Sequence, residues 1–182
     1  MTVCHQEKNG RRDWAYDRIF DPSQAIDSDT VECRYKEWTY LACDCGPHVL
    51  IAATYRPITA AAIGVYLAPE SKHNETRLLQ DLDNPPTSHR AELEAGIQAL
   101  ITIMNIIVVK GVEGAKLRMV IIKSDSAYLL QGVTHWVLQW KRHGVLDKRG
   151  EVIENAIRFM VLEELRRALE EVFHVSVLFW QW

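Results

Sequence analysis

The sequence predicts an α/β domain: one mixed central sheet flanked by helices. Two observations carry that reading. Strand-length apolar runs come first, and helix-period segments then alternate with further strand-length runs. That order builds a sheet with helical layers. With 182 residues and 48% hydrophobic content, the chain suffices for one well-buried domain and hardly for two.

Taken in order, residues 1–46 are polar, with scattered aromatics (Trp14, Tyr16, Phe20, Tyr35, Trp38, Tyr40) and no sustained periodicity. They read as an extension packed on the domain by those aromatics, and the domain itself spans 47–182. Val49-Leu50-Ile51-Ala52-Ala53-Thr54 is a continuous apolar run, as a strand buried on both faces requires. Ala61 to Leu67 is a second strand, ended by Pro69. Residues 70–86 are polar and turn-rich and read as a loop. Pro85-Pro86 closes it and keeps the preceding backbone out of the helical region, so the next helix begins after Pro86. Thr87 or Ser88 supplies its N-cap, and Glu92 and Glu94 fall in the acid-favouring first turns. Ala91, Leu93, Ile97, Leu100, Ile101 and Met104 give that helix its apolar face.

Gly111 to Gly114 breaks the chain before a third strand, Leu117 to Ile122, which runs into the turn Ser124-Asp125-Ser126. Two short helices are expected at 126–131 and 134–143, with Gly132 and Gly144 as stops. A longer helix spans 151–172 with a Leu162, Leu165, Leu169 stripe, and residues 175–180 form the last strand.

The net charge of −3 and pI near 6.2 exclude binding to nucleic acid by bulk charge, so any such contact needs a local patch. No run approaches the roughly 18 apolar residues of a membrane helix, and the N-terminus has no apolar signal region, so an intracellular protein with no membrane partner is expected. Four cysteines are too few and too unevenly placed for a disulfide scaffold. Cys33, Cys43, Cys45 and His48 lack the spacing of a zinc site and read as buried or incidental thiols.

Two segments carry the chemistry. Thr87-Ser88-His89-Arg90-Ala91-Glu92 places a carboxylate on the first turns of a helix, and Ile121-Ile122-Lys123-Ser124-Asp125-Ser126-Ala127-Tyr128 places another just after an apolar strand. Two carboxylates so placed suit a hard dication. Alone, Glu92 reads as a helix N-terminal carboxylate and Asp125 as a turn former. The stretch from Gln131 to Gly144 then adds Trp136 and Trp140 four residues apart, followed by Lys141, Arg142 and His143, with Lys148 and Arg149 beyond. Two tryptophans at that spacing serve equally as a core stripe or as a stacking surface.

Together these segments, over about residues 48–182, resemble the type-1 ribonuclease H family, whose members cut the RNA strand of RNA/DNA hybrids. The resemblance implies a ribonuclease H-like fold and metal-assisted hydrolysis with Mg²⁺ or Mn²⁺. It makes Glu92 and Asp125 the second and third of four carboxylate ligands. It places Tyr128, Trp136 and Trp140 along a channel for the DNA strand, Lys141 and Arg142 in a basic handle, and Thr87 and Asn155 on a DNA phosphate. Ser88 and His89 stand where the family usually has amide side chains reading the minor groove; His89 is a departure. The implied partner is an RNA/DNA hybrid or another nucleic-acid duplex.

Where the family pattern has an aspartate after the first strand, this chain reads Thr54-Tyr55-Arg56-Pro57. A phenol with a pKa near 10 is a poor ligand for a hard dication. Asp44, following the strand-like run 38–42, is the alternative first carboxylate. The fourth carboxylate and the family's last helix are expected beyond Phe179-Trp180-Gln181-Trp182, and so to be missing. These readings predict a hybrid-binding protein with impaired catalysis, or else a catalytically silent duplex- or protein-binding domain.

Overall fold

In the computed structural model, the described residues are 18, 32–35, 38–41, 48–57, 61–69, 71–79, 87–111 and 117–181, with the strands before residue 62 described by their backbone. Among these residues seven strands form one mixed sheet. They are β1 (Glu32–Tyr35), β2 (Trp38–Leu41), β3 (His48–Pro57), β4 (Ala61–Tyr66), β5 (Glu75–Leu78), β6 (Met119–Ser124) and β7 (Ser176–Gln181).

β3 is the centre of the sheet. One edge carries β2 and β4, both antiparallel, with Thr39 opposite Leu50 and Tyr55 opposite Ile63. Its other edge carries β6 in parallel, Ala52 lying level with Lys123. β5 continues antiparallel beyond β4, and β7 parallel beyond β6. A parallel pair needs a crossover, and helices supply it. Helix α1 (Ser88–Lys110) precedes β6, while α2 (Ala127–Gln131), α3 (Val137–His143) and α4 (Ala156–Glu171) lie between β6 and β7.

The core forms where α1 meets the sheet and α4. Leu93, Leu100, Ile103 and Ile107 of α1 are fully buried with Ile63, Val120, Ile122 and Phe179 of the strands and Phe159 and Leu162 of α4. Each such side chain stabilises the fold by about 1.5–3 kcal/mol relative to exposure. α1 is long and apolar enough to cross a bilayer by length and composition, contrary to the expectation that no run approaches this. Eleven of its positions, from Ala91 to Ile107, are buried in the protein, as in the core helix of a globular domain.

Several sequence expectations are corrected. The loop expected at 70–86 contains β5, an exposed strand whose Glu75 and Arg77 give no apolar alternation and which forms by pairing with β4. The segment 1–46 contributes β1 and β2 to the sheet, not aromatics alone. Residues 151–155 are not helical: Val152 pairs with Leu146, and Asn155 adopts a left-handed φ of 61° before α4 begins. Gly132 stops nothing. It is helical (φ −59°, ψ −50°) and opens a π-helical turn, Gly132–Trp136, that joins α2 to α3 without a break. The reason for glycine is close approach, since a Cβ there would collide with the Phe159 ring.

Candidate active site

Glu92 and Asp125 reach one end of the sheet from different elements. β6 ends at Ser124, and the chain turns through exposed Asp125 into α2. Ser126 caps that helix, its Oγ accepting from the Leu129 N–H at 3.0 Å. The same hydroxyl donates to Glu92 Oε2 at 2.5 Å. Ser124 Oγ accepts from the Ser126 N–H at 3.2 Å, which fixes the turn. Glu92 is half-buried and, because α1 begins at Ser88, lies in the second turn of the helix; no acidic residue occupies the first turn. What holds its carboxylate is a hydroxyl beside Asp125 instead of the helix terminus. Glu94 pairs with Arg158 of α4 at 2.8 Å.

β3 runs parallel to β6, so the backbone of Tyr55, three residues past the Ala52–Lys123 pair, passes the same end of the sheet. β2 is antiparallel to β3 and terminates at Leu41 opposite His48, at the far end. The run 38–41 is therefore not the central strand, as the Asp44 alternative needed; Asp44 itself lies outside the described residues.

Two hard oxygen donors fit one hydrated Mg²⁺, an ion that keeps several waters and binds through one or two carboxylates. A pair of ions clamping a phosphodiester needs more. Among the described residues, no group of three or more His, Cys, Asp or Glu side chains gathers to hold a metal.

Beside this end lies an aromatic face. The His89 and Tyr128 rings stack at 4.1 Å with planes 4° apart. Asn155, buried and left-handed, donates through Nδ2 to the Tyr128 hydroxyl at 3.1 Å. Burial raises the Tyr128 phenol above its ordinary pKa, against the Asn155 hydrogen bond, so it stays neutral at pH 7. Trp136 meets Tyr128 edge-on at 5.1 Å, and Trp140 lies 6.1 Å from Trp136. All three pack on fully buried Phe159 while remaining partly exposed, so the core and surface readings of these tryptophans describe two sides of the same rings. Thr87 is the N-cap of α1, its Oγ1 accepting from the Arg90 N–H at 3.2 Å, and Ser88 follows it, exposed. Arg142 is exposed in the last turn of α3. Lys141 turns to Glu163 of α4 at 2.7 Å.

Sequence reasoning missed Ser126 and Glu163. A hydroxyl directly after Asp125 and one residue ahead of a helix was the available signal for the first. Glu163 sits in Glu163-Glu164-Leu165-Arg166-Arg167, which reads as a solvated helix face. Only the packing of α4 shows that it is buried. Replacing Ser126 by alanine removes a cap and the Glu92 hydrogen bond; a loss of about 1 kcal/mol is expected, read by chemical denaturation at pH 7. An unchanged midpoint would show that the hydroxyl holds neither group.

The family model for RNase H matches residues 52–182, and the chain belongs to this family. It is similar to Ribonuclease H1 of Mus musculus, 27% identical over 110 residues, covering 60% of this chain and 34% of that protein. It is also similar to Ribonuclease H of Legionella pneumophila (strain Corby), 30% identical over 97 residues, covering 53% of this chain and 54% of the relative. The chain thus spans between a third and about half the length of these curated relatives. A solution structure of the PFV RNase H domain aligns at a TM-score of 0.44 and 15% identity over 71% of this chain and 77% of that one. The family is generally dependent on divalent metal ions.

Proposed function

We propose that this protein binds RNA/DNA hybrid duplexes across the face running from Glu92 and Asp125 to Tyr128, Trp136 and Trp140, and hydrolyses the RNA strand weakly. The observation that carries the reading is the Ser126 hydroxyl bond to Glu92, which ties the helix carboxylate to the turn bearing Asp125 inside the family-matched region. Asp125 directly follows the end of β6 and Glu92 is bonded to the same turn, at an end of the sheet where open α/β folds gather functional groups. Glu92 and Asp125 are the residues that would hold Mg²⁺ or Mn²⁺, and the ion would supply charge stabilisation to a phosphodiester. Ser126 orients Glu92, and Ser124 orients Ser126. The aromatic rings offer faces to sugars and bases, each worth about 1–3 kcal/mol. Thr87 and Asn155 stand for a DNA phosphate, Ser88 and the His89 ring for the wide minor groove of an A-form-like duplex, and Lys141 and Arg142 for further phosphates. Tyr55 in place of a carboxylate on β3 favours binding over cleavage.

A single-turnover assay on a labelled RNA/DNA duplex with Mg²⁺ or Mn²⁺ tests this, with Asp125→Asn as control. Salt-sensitive binding is expected, with cleavage far below about 1 s⁻¹. Cleavage at or above that rate that the control abolishes overturns the weak-catalysis reading. Absence of hybrid binding at low salt overturns the binding reading, and a catalytically silent protein-binding domain takes its place.

A further inference from the structure

Glu163 on α4 is almost wholly buried, its side chain 2% exposed, and three cations converge on it. Arg166 of the same helix donates to both oxygens, at 2.9 and 3.1 Å. Lys141 of α3 donates to Oε1 at 2.7 Å. Arg18, from the segment ahead of the family match, forks onto both oxygens at 2.8 and 3.0 Å. Arg18 Nη1 also donates to the Val133 carbonyl in the π-helical turn at 2.6 Å. Five N–H donors thus share one carboxylate whose oxygens offer about four lone-pair sites.

The three cations differ in access. The side chains of Arg18 and Arg166 are 5% and 11% exposed, whereas that of Lys141, next to Trp140 on α3, is 32% exposed. Arg166 also reaches Glu170 at 2.5 Å. Arg18, Lys141 and Arg166 against Glu163 and Glu170 leave one surplus positive charge in the cluster, and Lys141 is the member that solvent reaches.

We propose that Arg18 is a positioning residue for duplex binding: by neutralising Glu163 from the N-terminal segment, it leaves Lys141 releasable to a phosphate. The proposal rests on the hybrid-binding reading. With Arg18 present, Glu163 keeps two bidentate guanidinium partners when Lys141 swings outward. Without it the cluster has no surplus cation, and withdrawing Lys141 strips a buried carboxylate of half its compensation, which is strongly unfavourable. Lys141 is then pinned to Glu163. The N-terminal segment, outside the matched region, thereby sets one of the phosphate contacts of the handle.

The test is the salt dependence of binding by the full chain to a fluorescein-labelled RNA/DNA hybrid, between 50 and 200 mM KCl, with folding checked by circular dichroism. Each phosphate contact contributes about 0.9 to the slope of log K against log salt. Arg18→Met and Arg18→Gln are expected to lower the slope by about that amount, as is Lys141→Met. Arg18→Met combined with Lys141→Met lowers it no further than Lys141→Met alone. Arg18→Lys, which keeps the charge, is expected to hold the wild-type slope. A merely structural role would lower the melting temperature and leave the slope alone. A wild-type slope in Arg18→Gln, or an Arg18→Lys slope as low as that of Arg18→Gln, overturns the proposal. So does an unchanged slope in Lys141→Met, which leaves the Arg18–Glu163 pair intact and remains measurable if the Arg18 variants do not fold. No detectable wild-type binding overturns the hybrid reading itself and this proposal with it, an outcome distinct from bound hybrid with an unmoved slope.

Discussion

Replacing Glu163 by glutamine is expected to cost about 3–5 kcal/mol, because it leaves Arg18 buried without its counter-charge and Arg166 with Glu170 alone. For a chain of this size that corresponds to a fall of about 6–20 °C in melting temperature. Burial alone would raise the Glu163 pKa, but hydrogen bonds from Arg166 and Lys141 and the charges of Arg166 and Arg18 lower it to about 2, from an ordinary 4.5. A carboxylate whose pKa is depressed in the folded state contributes stability that is fully present above its unfolded value and lost as pH falls through the folded value. The contribution of Glu163 is therefore complete above about pH 4.5 and disappears as pH falls toward 2. The wild-type protein is expected to lose this stability across that window. The gap between wild type and Glu163→Gln is expected to narrow over the same range, since a protonated glutamic acid and a glutamine are near equivalents. Thermal unfolding of both proteins at several pH values checks this. A gap that stays constant from pH 6 to pH 2.5 would show that the ionised carboxylate is not the source of the stability.

The second large effect is expected at Gly132. Its helical backbone lies against the Phe159 ring, which is fully buried and also contacts Tyr128, Trp136 and Trp140. A methyl group there has no room unless the ring moves, and the ring is hemmed in by core neighbours. Gly132→Ala is expected to destabilise by about 3 kcal/mol, the upper end of the range for overpacking, although alanine is otherwise the better helix former. Because Phe159 supports the aromatic face, this substitution is also expected to weaken hybrid binding by shifting Trp136 and Trp140. Combining it with Phe159→Leu, which removes the colliding ring atoms, is expected to cost less than the sum of the single changes, as contacting residues do. Strictly additive costs would show that the ring is not what constrains position 132.

How much was legible in the sequence depended on whether the signal was local. The apolar runs at 49–54, 117–122 and 175–180 predicted the strands β3, β6 and β7, because a continuous apolar run of that length suits a strand of a sheet covered by helices. The pair Thr87-Ser88 marked the start of α1, and Thr87 is the one that caps it, because an N-cap hydroxyl satisfies a backbone N–H within its own turn. The resemblance of the two acidic segments to ribonuclease H survived comparison because those residues sit in short stretches of recognisable order.

Tertiary structure decided the rest. β5 carries no apolar alternation and exists because β4 offers it an edge. Gly132 looks like a helix stop in one dimension and is a seat for Phe159 in three. Glu92 was assigned to a helix terminus, yet its hydrogen-bond partner is Ser126, 34 residues away. Glu163 looked like one more charge on a solvated helix, and became a buried hub only when Arg18, 145 residues earlier, reached it. The sequence by itself determined the class of fold and the start of α1, since periodicity and capping are written in neighbouring residues. Which polar groups are buried together, and so which ones hold the site and the handle in place, was decided by packing between segments far apart in the chain.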